Sequence, residues 1–122
     1  MKKEIGKLGE KIAKKYLQNK GYEVLETNFQ NKWGEIDLIG KKEKKIIFFE
    51  VKTILKKEGF FPEDKITSQK KKQLLKMAQI FLSANKIPFE KSWQVDVLSI
   101  EIERNFQKAK ITHYKNILED HL

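Results

Sequence analysis

Two segments with the composition of β-strands, separated by a short polar tract, constrain the fold of this chain more than any other feature. Residues 34–40, GEIDLIG, alternate charged and apolar side chains, whereas residues 46–53, IIFFEVKT, are apolar at first and charged only near their end. Two such segments joined by the polar tract 41–45 predict an antiparallel hairpin. The chain therefore has to bury a sheet, and other elements have to cover it.

Two further segments have the apolar spacing of amphipathic helices. In residues 4–20, Ile5, Leu8 and Ile12 recur at helical spacing, and Gly21 is the expected C-terminal stop. Residues 66–85 carry a similar stripe and have Thr67 or Ser68 as the expected N-cap. The sequence thus predicts an α/β fold.

The remaining segments complete this α/β pattern. Residues 22–29 and 93–102 alternate as strands, and residues 110–120 fit either another strand or a helical turn. Residues 54–62 contain Gly59 and Pro62 and are predicted to form a loop that contacts substrate. A chain of this length fits a single domain over residues 1–122.

The charge of the chain favours a polyanionic partner. There are 26 Lys and Arg against 17 Asp and Glu, which gives a net charge of +9. Cations bind nucleic acid by displacing counterions from its phosphates, although a basic surface also serves solubility. Because Arg104 is the only arginine, bidentate Arg–guanine contacts are scarce, so DNA would be recognised by its backbone and shape.

The sequence also indicates a compartment. It contains no cysteine, no apolar run long enough to span a membrane and no signal-peptide core at its N-terminus. We therefore expect a cytoplasmic protein with no membrane partner.

Charged residues on the two hairpin strands form the candidate site. A hairpin symmetric about its 43–44 turn pairs Asp37 with Glu50 and Glu35 with Lys52, and places all four side chains on one face. Two adjacent carboxylates repel each other unless a cation or proton lies between them, and oxygen ligands suit Mg²⁺ or Mn²⁺. The main-chain carbonyl of Val51 is a further candidate metal ligand.

These residues also define a chemistry. A bound metal would activate a water molecule, and Lys52 would orient that water or hold the scissile phosphate. The alternative is that the four charges are solvated or protect a sheet edge from pairing. Glu10 is a further candidate at the border of the first apolar stripe, although it could instead pair with Lys14 in the same helix.

The motifs Gly9-Glu10, 34–37 (GEID) and 50–52 (EVK), followed by QVDVLSI at 94–100, resemble the YraN-type family of uncharacterised bacterial proteins. That family belongs to the PD-(D/E)xK nuclease superfamily and is similar to archaeal Holliday-junction resolvases. The resemblance covers nearly the whole chain. It implies a restriction-endonuclease-like mixed sheet flanked by helices, with Asp37 and Glu50 as metal ligands, Lys52 as the catalytic lysine and Glu10 in a supporting role.

The chain departs from the family pattern where arginines commonly follow the Glu-x-Lys motif and precede the fourth-strand aspartate. Thr53 and Gln94 lie at or next to those places, so lysines would have to contact the phosphates. The substrate-binding candidates are Lys56, Lys57, Lys70 and Gln73. The alternative for the run 70–72 is a solvated helix face.

Other polar and aromatic residues have weaker expectations. Asp96 is interpreted as a buried structural acid, with an auxiliary role in the site as the alternative, and His113 and His121 are assigned no role. Trp33, Phe60 and Phe61 could stack on unpaired bases, although core or partner packing is the alternative.

The sequence therefore predicts a Mg²⁺- or Mn²⁺-dependent endonuclease acting on DNA rather than RNA, on branched or structured DNA in particular, with little sequence specificity. The alternatives are a non-catalytic nucleic-acid-binding module with the same fold and an assembly protein whose charge is incidental. A homodimer is possible because resolvase-like enzymes cut two strands symmetrically.

Overall fold

The computed structural model describes residues 2–56, 66–105 and 107–118. Its elements are α1 (Lys2–Asn19), β1 (Glu23–Asn31), β2 (Gly34–Lys42), β3 (Lys45–Leu55), α2 (Ser68–Ala84), β4 (Trp93–Ile102) and β5 (Ala109–Tyr114). The five strands form one sheet in the order β1-β2-β3-β4-β5, with β3 and β4 parallel and the other neighbours antiparallel. The predicted α/β class is confirmed, and the arrangement is consistent with a restriction-endonuclease-like fold.

Helix α1 ends as the sequence predicts. Gly21 has a φ of 92°, a left-handed conformation that is easy for glycine. Its N–H donates to Gln18 O at 3.1 Å and the Tyr22 N–H donates to Leu17 O at 2.9 Å. This pair of bonds is the Schellman motif, which satisfies carbonyls at the helix end.

Helix α2 begins with the first of the two predicted caps. The Thr67 hydroxyl accepts from the Lys70 N–H at 3.0 Å, and the helix itself starts at Ser68. This bond satisfies one of the first-turn N–H groups, which have no partner inside the helix.

The boundaries of the predicted loop need a correction. Ile54 and Leu55 belong to β3, because they continue its parallel ladder by pairing with Glu101 and Ile102 of β4. The rest of the loop from residue 57 to Pro62, including Lys57, Phe60 and Phe61, lies outside the described residues. For the segment near the C-terminus, the strand alternative is confirmed, because these residues form β5.

The sheet buries both of its faces, one under each helix. On one face, α2 contributes Leu74, Met77, Ala78 and Phe81 to a core that also contains Ile39, Phe48 and Val95. On the other face, α1 contributes Ala13 and Leu17 to a core that also contains Leu38, Phe49, Leu98 and Ile100. Burial on both faces explains why the first half of β3 is apolar without alternation.

A glycine allows α1 to lie close to the end of β3. A Cβ atom at Gly9 would collide with the Thr53 side chain. The missing side chain therefore brings the neighbouring Glu10 toward the sheet at the position of the charged motif. In the described part of the chain, neither helix is long and apolar enough to cross a membrane.

Candidate active site

The two predicted metal ligands lie where β2 and β3 separate. The hairpin has the predicted register, but its ladder ends at the pair Leu38 and Phe49. Beyond that pair, the Val51 N–H donates to Asp37 Oδ2 at 2.7 Å. The Asp37 carboxylate therefore accepts a main-chain hydrogen bond from β3 at this point. This bond holds Asp37 beside Glu50.

The predicted pairing of Glu35 with Lys52 is wrong, because the strands have separated before these residues. On its other edge, toward β1, Glu35 pairs with Gln30. In β1, Asn28 lies opposite Asp37 and has a left-handed φ of 53°. This conformation interrupts the alternation of side chains between the two faces of β1. The β2–β3 ladder keeps the predicted register only as far as Leu38 and Phe49, and Asp37 and Glu50 lie just beyond its end.

Glu50 is buried beside a second carboxyl group. Glu50 and Asp37 are each only 7% exposed. Burial, followed by the charge of Asp37, raises the pKa of Glu50 from 4.5 to about 7. A hydrogen bond between the two side chains acts in the same direction. The pair therefore favours a proton or a cation at neutral pH.

This pair makes the stability of the metal-free protein depend on pH. Between pH 4.5 and about 7 the folded protein keeps the Glu50 proton, whereas the unfolded chain has lost it, so stability falls as pH rises. We expect Glu50→Gln to remove this fall, which is on the order of 3 kcal/mol, and to be the more stable protein at about pH 8. Urea denaturation in EDTA across this range measures the difference.

The matched control is Glu26→Gln, which makes the same charge change on an exposed residue of β1. It should keep the wild-type pH dependence. Equal pH slopes in wild type and Glu50→Gln would contradict the proposed protonation of Glu50.

Glu10 approaches the same pair from α1. Burial, followed by the charge of Asp37, raises the pKa of this half-buried carboxyl, while a hydrogen bond with the Asn28 side chain opposes the shift. Glu10, Asn28, Glu35 and Asp37 share a cavity of about 830 Å³. The structure thus brings Glu10 to the Asp37 side of the site, where its carboxyl interacts with Asp37 and Asn28.

Helix α2 approaches from the opposite face of the sheet. Lys70 Nζ lies 3.6 Å from Glu50 Oε2 and donates to Gln73 Oε1 at 2.9 Å. The solvated-face interpretation of the lysine run is therefore wrong for Lys70, although Lys72 is exposed. Sequence spacing could not place Lys70 beside Glu50, because their contact depends on how α2 packs across the sheet.

Lys52 and Lys56 have different surroundings. Lys52 is half-buried. Its charge lowers the pKa of Glu50, although burial and the charge of Asp37 raise that pKa by more. Its ladder partner Ser99 has a buried hydroxyl without a hydrogen-bond partner among the described residues. Lys56 follows β3 and is exposed, with its N–H bonded to Ile102 O. Of these two lysines, only Lys52 interacts with the carboxylate pair.

His113, which the sequence assigns no role in a zinc pair or a nuclease motif, takes part in a buried structural network. His113 Nε2 lies 2.8 Å from Asp96 Oδ2, and the Gln94 side chain and the Asn116 N–H both donate to Asp96 Oδ1 at 2.8 Å. Asp96 is fully buried. This network joins β4 to β5, as the structural interpretation of Asp96 expects, and His121 lies outside the described residues.

The donor set at the end of the β2–β3 ladder suits a hard cation with few protein ligands. No group of three or more His, Cys, Asp or Glu side chains in the described ranges could hold a metal ion. The fitting ligands are the carboxylates of Asp37 and Glu50 with the predicted Val51 carbonyl. Mg²⁺ commonly binds to one or two carboxylates and completes its shell with water and phosphate oxygens.

Comparison with known proteins identifies the family. The sequence profile of the uncharacterised protein family UPF0102 matches residues 9–100. A UPF0102 protein from Caldanaerobacter subterraneus subsp. tengcongensis is 37% identical over 117 residues, which cover 96% of this chain and 93% of the relative. A second, from Syntrophomonas wolfei subsp. wolfei, is 39% identical over 116 residues, with coverages of 95% and 98%. The chain therefore belongs to the UPF0102 family, the YraN-type family that its motifs indicate.

Proposed function

We propose that this protein is a metal-dependent nuclease that cuts DNA, with a preference for branched or structured substrates. The observation that carries the proposal is the buried pair of Asp37 and Glu50 with Lys52 beside it. Two buried acids are costly in isolation, and strongly perturbed acids next to lysines are typical of catalytic sites. The net charge of +9 fits a polyanionic substrate.

Each residue has a separate role in this proposal. Asp37 is fixed in place by the Val51 N–H, which bonds to Oδ2, so its carboxylate can bind Mg²⁺ or Mn²⁺ together with Glu50. When bound, the cation would lower the pKa of the attacking water and offset charge that develops on the phosphate. Lys52 orients the water or binds the scissile phosphate, and Glu10 has a supporting role at the Asp37 side of the site.

Substrate binding falls to lysines, because the arginines of the family pattern are absent. Lys70 and Gln73 lie on the α2 side of the carboxylate pair, and Lys56 lies beyond the end of β3. Lysine contacts to phosphates position DNA without reading its sequence. We therefore propose little sequence preference, whereas DNA rather than RNA as the substrate and the homodimer stay predictions from the sequence.

One observation favours a non-catalytic binding module as the second candidate. The Lys70 ammonium lies 3.6 Å from Glu50 and already supplies a positive charge to the pair. If that lysine takes the place of a metal ion, the fold would bind nucleic acid without turnover.

Cleavage assays distinguish the two candidates. Labelled single-stranded, duplex, flap and four-way-junction DNA are incubated with wild type or Lys52→Ala in Mg²⁺, Mn²⁺ or EDTA. We expect wild type to cut in either metal and not in EDTA, whereas Lys52→Ala loses roughly 10²-fold or more of the rate and keeps most of the binding.

The matched control is Lys91→Ala, which removes an exposed lysine at the far end of the sheet. It should cut like wild type. Salt-sensitive DNA binding without cleavage in any metal would overturn the nuclease and leave the binding module.

A further inference from the structure

An exposed tryptophan lies in the turn between β1 and β2 among lysine side chains. Trp33 is 49% exposed. Lys76 Nζ lies 3.7 Å from the centroid of its ring, and Lys32 Nζ lies 5.0 Å from it. The indole therefore has accessible aromatic surface, and two lysine ammonium groups lie over its ring.

This tryptophan is connected to the candidate active site by hydrogen bonds. Gln73 Nε2 donates to Trp33 O at 3.2 Å, and Gln73 Oε1 accepts from Lys70, the lysine beside Glu50. Gly34 allows the close contact: it has a φ of 148°, and a Cβ there would lie 2.5 Å from Gln73 Nε2. The turn is therefore held against α2 next to the carboxylate pair.

Trp33 and the side of α2 that carries Lys70, Gln73 and Lys76 line a pocket of about 500 Å³. Among the residues that the structure describes, the ionisable side chains in its lining all belong to lysines, namely Lys70, Lys72 and Lys76. We call Trp33, Lys32, Lys70, Lys72, Gln73 and Lys76 the Trp33 surface. It combines an aromatic face with positive charge beside the carboxylate pair.

We propose that the Trp33 surface binds an unpaired segment of the DNA substrate, with a base stacked on Trp33 and adjacent phosphates bound by the lysines. This inference rests on the proposed function, because it assigns a substrate feature to the same site. Aromatic side chains and lysine grooves are the usual means of holding single strands. Bases in a duplex are already stacked on their neighbours, so the indole selects unpaired ones.

The lysine ammonium groups over the ring can give way to a base when a strand binds. In the free protein, Lys76 and Lys32 interact with the indole through cation–π contacts, which are weak at exposed positions. A bound strand offers a base to the ring and phosphates to the ammonium groups. Both kinds of group therefore gain partners when an unpaired strand binds.

Binding of a fluorescently labelled oligothymidylate in EDTA tests the proposal without any cleavage. We expect Trp33→Ala to weaken this binding by roughly tenfold or more, while the affinity for a blunt duplex changes much less. Trp93→Phe leaves Trp33 as the only tryptophan, so its emission should be quenched by unlabelled oligothymidylate. In the matched Trp33→Phe variant, the emission of Trp93 should stay constant.

The results separate this proposal from the nuclease. Equal oligothymidylate affinity in wild type and Trp33→Ala, with no quenching in Trp93→Phe, overturns the Trp33 surface even if wild type cuts DNA. Trp33-dependent binding in a protein that never cuts DNA supports the surface and removes the nuclease. A wild type that binds no oligonucleotide overturns both.

Discussion

Asp37→Asn is expected to abolish metal-dependent DNA cleavage, with a loss of roughly 10²- to 10³-fold in rate. The substitution removes one of the two acidic charges proposed to bind the cation. It keeps an oxygen that can accept the Val51 N–H, so the connection between β2 and β3 survives. Rates measured on the best substrate at saturating Mg²⁺, with DNA binding measured separately, give the effect on turnover.

The stability of this variant separates a catalytic effect from misfolding. The Asp37 charge raises the pKa of Glu50, so its removal should not destabilise the metal-free protein. Asp37→Ala, which also removes the acceptor for Val51, should be the less stable of the two variants. Glu26→Gln is the charge-matched control and should cut normally, and an Asp37→Asn protein that cuts at the wild-type rate would exclude the proposed metal ligand.

The fold could be predicted from the sequence wherever local patterns agree with packing. The Schellman end at Gly21 and the cap at Thr67 depend on neighbouring residues only, and both are confirmed. The hairpin register was also predictable, because a shift of the pairing by one residue would move every apolar side chain to the wrong face of the sheet. The end of β3 could not be predicted from local patterns, because Ile54 and Leu55 become strand only by pairing with β4.

The candidate site was predictable along the strands but not between the elements. The hairpin register predicts Asp37 and Glu50 next to each other, and the ladder follows that register up to the preceding pair, Leu38 and Phe49. The ion pair of Lys70 with Glu50 depends on the packing of α2 against the sheet, which no local spacing encodes. For His113, the missed signal was its place in an alternating segment that could pair with the strand carrying Asp96.

The separation of β2 and β3 connects the fold with the proposed chemistry. Main-chain bonding stops after Leu38 and Phe49, so Asp37 can reach the Val51 N–H and both helices can direct side chains toward the carboxylates. Glu10 approaches from one face of the sheet and Lys70 from the other. A continuous ladder would leave less room for these groups. The end of the β2–β3 ladder therefore makes room for the side chains of the proposed site.

The largest loss of stability is expected from Asp96→Ala, at about 3 to 5 kcal/mol. The carboxylate is fully buried and accepts from Gln94 and the Asn116 N–H, besides its contact with His113. Alanine leaves these groups without their acceptor inside the protein, and each such loss costs about 1 to 3 kcal/mol. Urea denaturation of wild type and variant measures the difference in the free energy of unfolding.

A milder substitution keeps the prediction testable if Asp96→Ala does not fold. Asp96→Asn retains one oxygen for the Asn116 N–H but turns the other position into a donor, which fits His113 only when its Nε2 accepts. Its stability should lie between wild type and alanine. Glu90→Ala removes an exposed acid and should change stability by no more than about 0.5 kcal/mol. If Asp96→Ala is as stable as that control, the buried network does not hold β5 to β4.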